Sequence, residues 1–137
     1  MPVFKIALGQ NALYSSTTAS YNIALGADTL YSNTTGQFNV ALGYKTLEDS
    51  TIGRYNVGLG YQVLKQNTTG DANVAIGYQT LNTNTTGSEN VALGSSALTL
   101  NTIGNHNIAL GAAALYQNTT GYRNVAIGKD AMQKNTT

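Results

Sequence analysis

The chain has 137 residues, room for one domain, with seven basic residues against six acidic ones and no cysteine. Charged residues make up 9% of it, against roughly 25% in ordinary globular proteins. This near-neutral balance gives no electrostatic footprint for nucleic acid, the missing thiols exclude disulfides and thiolate metal sites, and no apolar run approaches the ~20 residues of a membrane span, so no membrane insertion is expected.

The first element is Ile6-Ala7-Leu8-Gly9, a β-branched residue and a leucine flanking an alanine, closed by a turn glycine. It returns in strict register, with repeats starting at Ile6, Ile23, Val40, Val57, Val74, Val91, Ile108 and Val125, always 17 residues apart. Within each repeat position 1 is Ile or Val, position 2 is Ala (Gly58 once), position 3 is Leu or Ile and position 4 is Gly. Position 8 is Leu, or Met132 at the end, and position 11 is Asn or Ser. Position 12 is always Thr, position 14 is Gly except for Ala19, and position 17 is Asn from Asn22 to Asn124. Seventeen residues are too few for a helix-turn-helix unit, which needs ~33. The expected fold is therefore all-β: a single parallel β-solenoid over residues 1–137, eight coils of 17 residues, each with a short strand at positions 1–3 and a second around positions 6–9. Stacked at ~4.8 Å, eight coils span roughly 38 Å.

Stacking assigns roles to the repeated positions. The Val/Ile and Leu columns are expected to form a continuous apolar core, Asn at position 17 an amide ladder, Asn or Ser at position 11 a side-chain-held turn, and both glycines positive-φ corners. Charges such as Lys45, Glu48, Lys65, Arg54, Asp71 and Arg123 avoid those columns, which places positions 5, 6, 9, 10, 15 and 16 outside. Alternation then turns the small column Ala24, Ala41, Gly58, Ala75, Ala92, Ala109 and Ala126 away from that core. Its size implies close packing, against a neighbouring chain or against the opposite wall of the same narrow coil.

Aromatic residues share columns too. Phe4, Tyr21, Phe38 and Tyr55 follow one another at position 16, Tyr44, Tyr61 and Tyr78 at position 5, and Tyr14 and Tyr31 at position 9. Such ladders either seal a groove between chains or form a binding stripe for sugar or protein, with Tyr21, Phe38, Tyr55, Tyr44, Tyr61 and Tyr78 as its candidates. The Thr column raises ice binding as a further reading. Catalytic signals are weak: His106 is the one histidine, no serine has a histidine partner, and no metal-ligand or cofactor motif recurs. The expectation is a non-enzymatic protein without cofactor.

The phrase Asn90-Val91-Ala92-Leu93-Gly94 resembles the head repeats of trimeric autotransporter adhesins (YadA-like, hemagglutinin-type), and the longer versions with Asn-Thr-Thr-Gly are similar to segments of bacteriophage tail fibres and other virion proteins. The resemblance covers the whole chain. It implies a left-handed parallel β-roll, a homotrimer of rolls packed side by side, and attachment to a host receptor or glycan, at the virion or the cell surface. The N-terminus MPVFKIALG lacks the apolar core of a signal peptide and the chain stops mid-repeat at Thr137, which favours a virion component, or a piece of a longer fibre, over a complete autotransporter. A passive architectural spacer is the remaining alternative.

Overall fold

The computed structural model describes residues 4–137; residues 1–3, the start of the expected domain, lie outside the described part. Eight short strands form one parallel sheet in sequence order: β1 (Lys5–Leu8), β2 (Asn22–Leu25), β3 (Val40–Tyr44), β4 (Val57–Tyr61), β5 (Val74–Tyr78), β6 (Val91–Leu93), β7 (Ile108–Leu110) and β8 (Val125–Ile127). Every pairing joins equivalent repeat positions, as in Val40 with Val57, Leu42 with Leu59 and Tyr44 with Tyr61. The chain is thus a parallel β-solenoid of about seven turns without helix among the described residues.

The expected second strand does not form. Positions 6 and 8 take left-handed backbone in every repeat, as at Lys45 (φ 53°) and Leu47 (φ 54°), and position 16 does so throughout, as at Tyr55 (φ 58°). Each such residue costs about 1–2 kcal/mol. Hydrogen bonds between turns offset it: the Leu13 N–H donates to the Thr29 carbonyl at 3.0 Å, that of Asp28 to Gln10 at 2.9 Å and that of Tyr55 to Gln37 at 3.1 Å. The far wall is therefore a stack of hydrogen-bonded turns. The two glycine columns differ in cause. At position 4 the backbone demands glycine, with Gly43 at φ 120°. At position 14 Gly36 lies outside the left-handed region; a Cβ there would overlap the Gly53 carbonyl oxygen and sit 2.8 Å from Asn33 Nδ2.

The in-out phase of the strands is opposite to the sequence expectation. Ala24, Ala41, Ala75, Ala92 and Ala109 are fully buried inside the coil, together with Leu30, Leu47, Leu64, Leu81, Leu98 and Leu115 of position 8. The Val/Ile and Leu columns of positions 1 and 3 point outward, half-buried in the middle and exposed at the ends. The reason is width. A Cβ on Gly58 would meet the methyl of Thr46 at 2.6 Å, Val63 Cγ1 at 3.6 Å and Leu47 Cδ1 at 3.7 Å. The strand faces the far wall so closely that only Ala or Gly fits between them.

Two polar ladders stiffen the interior. Asn39, Asn56, Asn73, Asn90 and Asn107 are fully buried. Each donates Nδ2 to a position-14 glycine carbonyl of the next turn, as Asn56 does to Gly70 at 2.9 Å, while its Oδ1 accepts the backbone N–H of the next asparagine, as Asn56 does from Asn73 at 3.0 Å. At position 11, Asn84, Asn101 and Asn118 each donate to the asparagine below, at 2.7, 2.8 and 3.0 Å, and also hold their own corner glycine carbonyl. Buried amides with every partner satisfied contribute stability that the same groups left unpaired would remove.

Candidate interaction surface

The outward phase of positions 1 and 3 gives the molecule one apolar sheet face carrying sixteen Ile, Val and Leu side chains in two parallel columns. Near its ends Ile6 is 57% exposed and Ile127 70%. A soluble protein rarely leaves so large a contiguous apolar patch facing water, and such patches mark interaction sites.

Aromatic ladders border this face. Along one rim Phe4, Tyr21, Phe38 and Tyr55 stack with ring centroids 5.8, 4.9 and 5.1 Å apart. A groove of about 290 Å³ runs between Phe4 and Tyr21 on that rim and Ile6 and Ile23 of the sheet, which shows the ladder standing on the same side as the apolar columns. Along the other rim Tyr44, Tyr61 and Tyr78 stack at 5.4 and 5.2 Å. The sequence-derived candidates thus gather into two rungs-and-rails borders of one surface. Of the two packings expected for the small column, the structure shows the opposite wall of the same coil and not a neighbouring chain: Ala24, Ala41, Gly58, Ala75, Ala92, Ala109 and Ala126 face inward and are buried, so packing between chains there would need the coil to open. The surface residues that sequence reasoning missed are the Val/Ile and Leu columns themselves.

Ladder geometry bears on what the rings can bind. Phe38 and Tyr55 lie 1° from parallel, and Tyr61 and Tyr78 7°, so neighbouring rungs cover one another's faces and present edges outward. A sugar ring that stacks on an aromatic face finds one free only at the ladder ends. At three of the four ends exposure follows: Phe4, Tyr55 and Tyr78 are 61%, 58% and 51% exposed, against 40% for Phe38 and 41% for Tyr61, whereas Tyr44 at the fourth has Lys45 Nζ 5.5 Å over its ring and is 41% exposed.

Beyond Tyr55 the first rim turns small and then polar, through Ala72, Glu89, His106 and Arg123. Glu89 Oε2 lies 3.2 Å from His106 Nδ1. On the far wall Glu48 sits between Lys45 and Lys65, 3.1 Å from each, with Asp49 3.4 Å from Lys65. The hydrogen bond to Glu48, and its charge, raise the Lys45 pKa above 10.5. For Lys65 burial pulls downward, but the bond to Glu48 and the charge of Asp49 outweigh it and the net shift is also upward. Both ammonium groups are paired with carboxylates. No group of three or more metal-ligating side chains occurs among the described residues. The position-12 threonines do not offer free hydroxyls to water: Thr34, Thr51, Thr68, Thr85 and Thr102 each donate to the threonine carbonyl of the next turn, at 3.0–3.2 Å.

Comparisons with known protein families, curated proteins and solved structures return no match.

Proposed function

We propose that this chain is a non-enzymatic structural and adhesive segment, in which three copies turn their apolar faces onto a common axis to form a stiff rod or head. Its outer surface is presented for attachment to a host cell or its glycans, as in a phage tail fibre or other virion component. A bacterial surface adhesin head is the alternative setting. The observation that carries this reading is the outward apolar face with its aromatic rims, which no part of the described chain covers.

Simple geometry favours three copies over four. The strand with its flanking residue is roughly 17 Å wide, at ~3.3 Å per residue. Three such faces arranged as a triangle each lie about 5 Å from the axis, which is half the ~10 Å spacing of packed sheets and the depth that one layer of Val and Leu fills. Four faces would lie about 8 Å away and leave an open channel. The outer surface then consists of the corners and the far wall, where the side chains vary most: Tyr14, Arg54, Asp71 and Tyr122 stand there exposed.

Light scattering tests assembly. The wild type is expected at three times 14.4 kDa. Val74→Glu with Val91→Glu, on the outward face, should give a folded monomer. Ala75→Glu with Ala92→Glu, inside the coil, should abolish the fold itself, seen as loss of the β signal in circular dichroism. A wild type that stays monomeric at high concentration would falsify the assembly. A glycan array probed with the trimer separates attachment from a spacer role: silence across it removes the adhesive part.

A further inference from the structure

The two rims stop at different heights, and the mismatch is informative. One ladder runs beside β1 to β4 as Phe4, Tyr21, Phe38 and Tyr55, and the next residue in its column, beside β5, is Ala72. The other runs beside β3 to β5 as Tyr44, Tyr61 and Tyr78, and is followed by Ser95. Tyr55 therefore has one ring face open beside the small, exposed Ala72, which explains why it is more exposed than Tyr21 and Phe38 within the stack. A step one rung high, beside a continuous aromatic stack spaced at about 5 Å, is shaped for one more flat ring.

We propose that this ring is Tyr78 of a second copy of the chain. The inference rests on the side-by-side assembly above. A rotation axis parallel to the solenoid keeps every residue at its own height and brings the first rim of one copy against the second rim of the next. At the height of β5 this sets Ala72 opposite a partner's Tyr78, a small residue against a large one. The same rule sets Tyr21 opposite the partner's Ala27, Phe38 opposite the partner's Tyr44 and Tyr55 opposite the partner's Tyr61. Rings thus face one another across the seam at β3 and β4, and β5 is the height at which the first rim leaves room above a stacked ring. Within one chain the exchange cannot occur, because Ala72 and Tyr78 lie on opposite rims, separated by the width of β5. Across each seam the Phe4–Tyr55 stack passes to the partner's ladder, and aromatic rings line the joint over the five heights of β1 to β5. A shift of one turn would either set the step at Ala72 against Ser95 and leave it unfilled or set Tyr78 against Glu89, so this handover favours one axial register among the near-identical turns.

Complementary substitutions test it. Tyr78→Ala leaves the step unfilled and Ala72→Tyr fills it from within, so that the partner's Tyr78 loses its place over Tyr55. Each alone is expected to raise the concentration at which the assembly dissociates about tenfold. The double variant Ala72→Tyr/Tyr78→Ala moves the ring to the other rim and should restore the wild-type value. Because the chain has no cysteine, Ala72→Cys/Tyr78→Cys should also oxidise to a covalent trimer, while Ala72→Cys/Tyr44→Cys, two heights out of step, should not. Effects that merely add in the double variant, together with no cross-linking of the matched pair in a wild-type-like trimer, would overturn the handover and leave the trimer standing. A monomeric wild type would overturn both.

Discussion

One serine marks the weakest rung of the interior. The position-11 column reads Ser16, Asn33, Ser50, Asn67 and then asparagine throughout. From Asn67 onward each amide bonds to the next. Ser50 is too short to reach either neighbour, and Asn33 Nδ2, Asn33 Oδ1 and Ser50 Oγ are buried without a hydrogen bond to another protein group. Unsatisfied buried polar atoms cost about 1–3 kcal/mol each. Ser50→Asn inserts an amide where the stack spacing already suits one, and should stabilise the chain by about 1–2 kcal/mol, raising Tm by a few degrees in a thermal melt. An unchanged or lower Tm would mean that the corner of that turn differs from those above it. Such ladders are legible in sequence because an amide carries both donor and acceptor and a fixed period stacks it on itself. At position 11, however, Asn and Ser read as equivalent turn-holders in sequence, and the ladder there, with its break at Ser50, shows only once the stacking distance between turns is known.

A single coil is a strand and a stack of turns pressed together with little space between. Gly58 shows the tolerance. It is the one position-2 residue without a Cβ, and its repeat carries Val63, the bulkiest residue at position 7. Gly58→Ala places a methyl 2.6 Å from Thr46 Cγ2 and should destabilise by about 1–3 kcal/mol. Thr46→Ala removes that obstacle, so a double-mutant cycle should show the pair more stable than the sum of the singles predicts, even though Thr46 also loses its 2.9 Å bond to the Gly60 carbonyl. Additive effects would place the clash elsewhere. This narrowness is also what the sequence left open. Period-2 alternation separates positions 1 and 3 from position 2, but does not say which set is inside. Hydrophobicity alone puts Val and Leu within, whereas size puts Ala there, once the far wall already supplies Leu47 and Leu64. Likewise, the left-handed backbone at position 8 has no signature in a leucine column, so the second strand was a reasonable expectation that the turns replace. The ring columns carried their own evidence and stack as the spacing implies; the surface between them could be identified only with the phase known.

At the scale of the molecule each turn touches only its neighbours above and below, so stability is a sum over adjacent pairs and the length of the rod is adjustable. The consequence is sharp because register, not composition, decides which residues face inward. Removing residues 88–104, from position 15 of one repeat to position 14 of the next, joins Gly87 to Asn105 and leaves every remaining residue in phase. The shortened chain should keep its β signal, unfold cooperatively and lose a modest part of its stability. Removing residues 88–103 instead leaves the number of turns the same within one residue, yet shifts everything downstream by one position. Ile108 would then occupy the slot built for Ala and Leu110 the positive-φ slot built for Gly, the Asn107 and Asn124 amides would leave their ladder, and the position-4 glycines would miss their corners. Circular dichroism and limited proteolysis distinguish the outcomes: a resistant core for the 17-residue deletion, and for the 16-residue deletion protection confined to the part before Ser88. Equal behaviour of the two would mean that the turns do not act as interchangeable units. If they do, the same deletion carries a consequence for assembly, since it leaves Phe4 to Tyr78 untouched and should preserve the seam while shortening only the polar end of the rod.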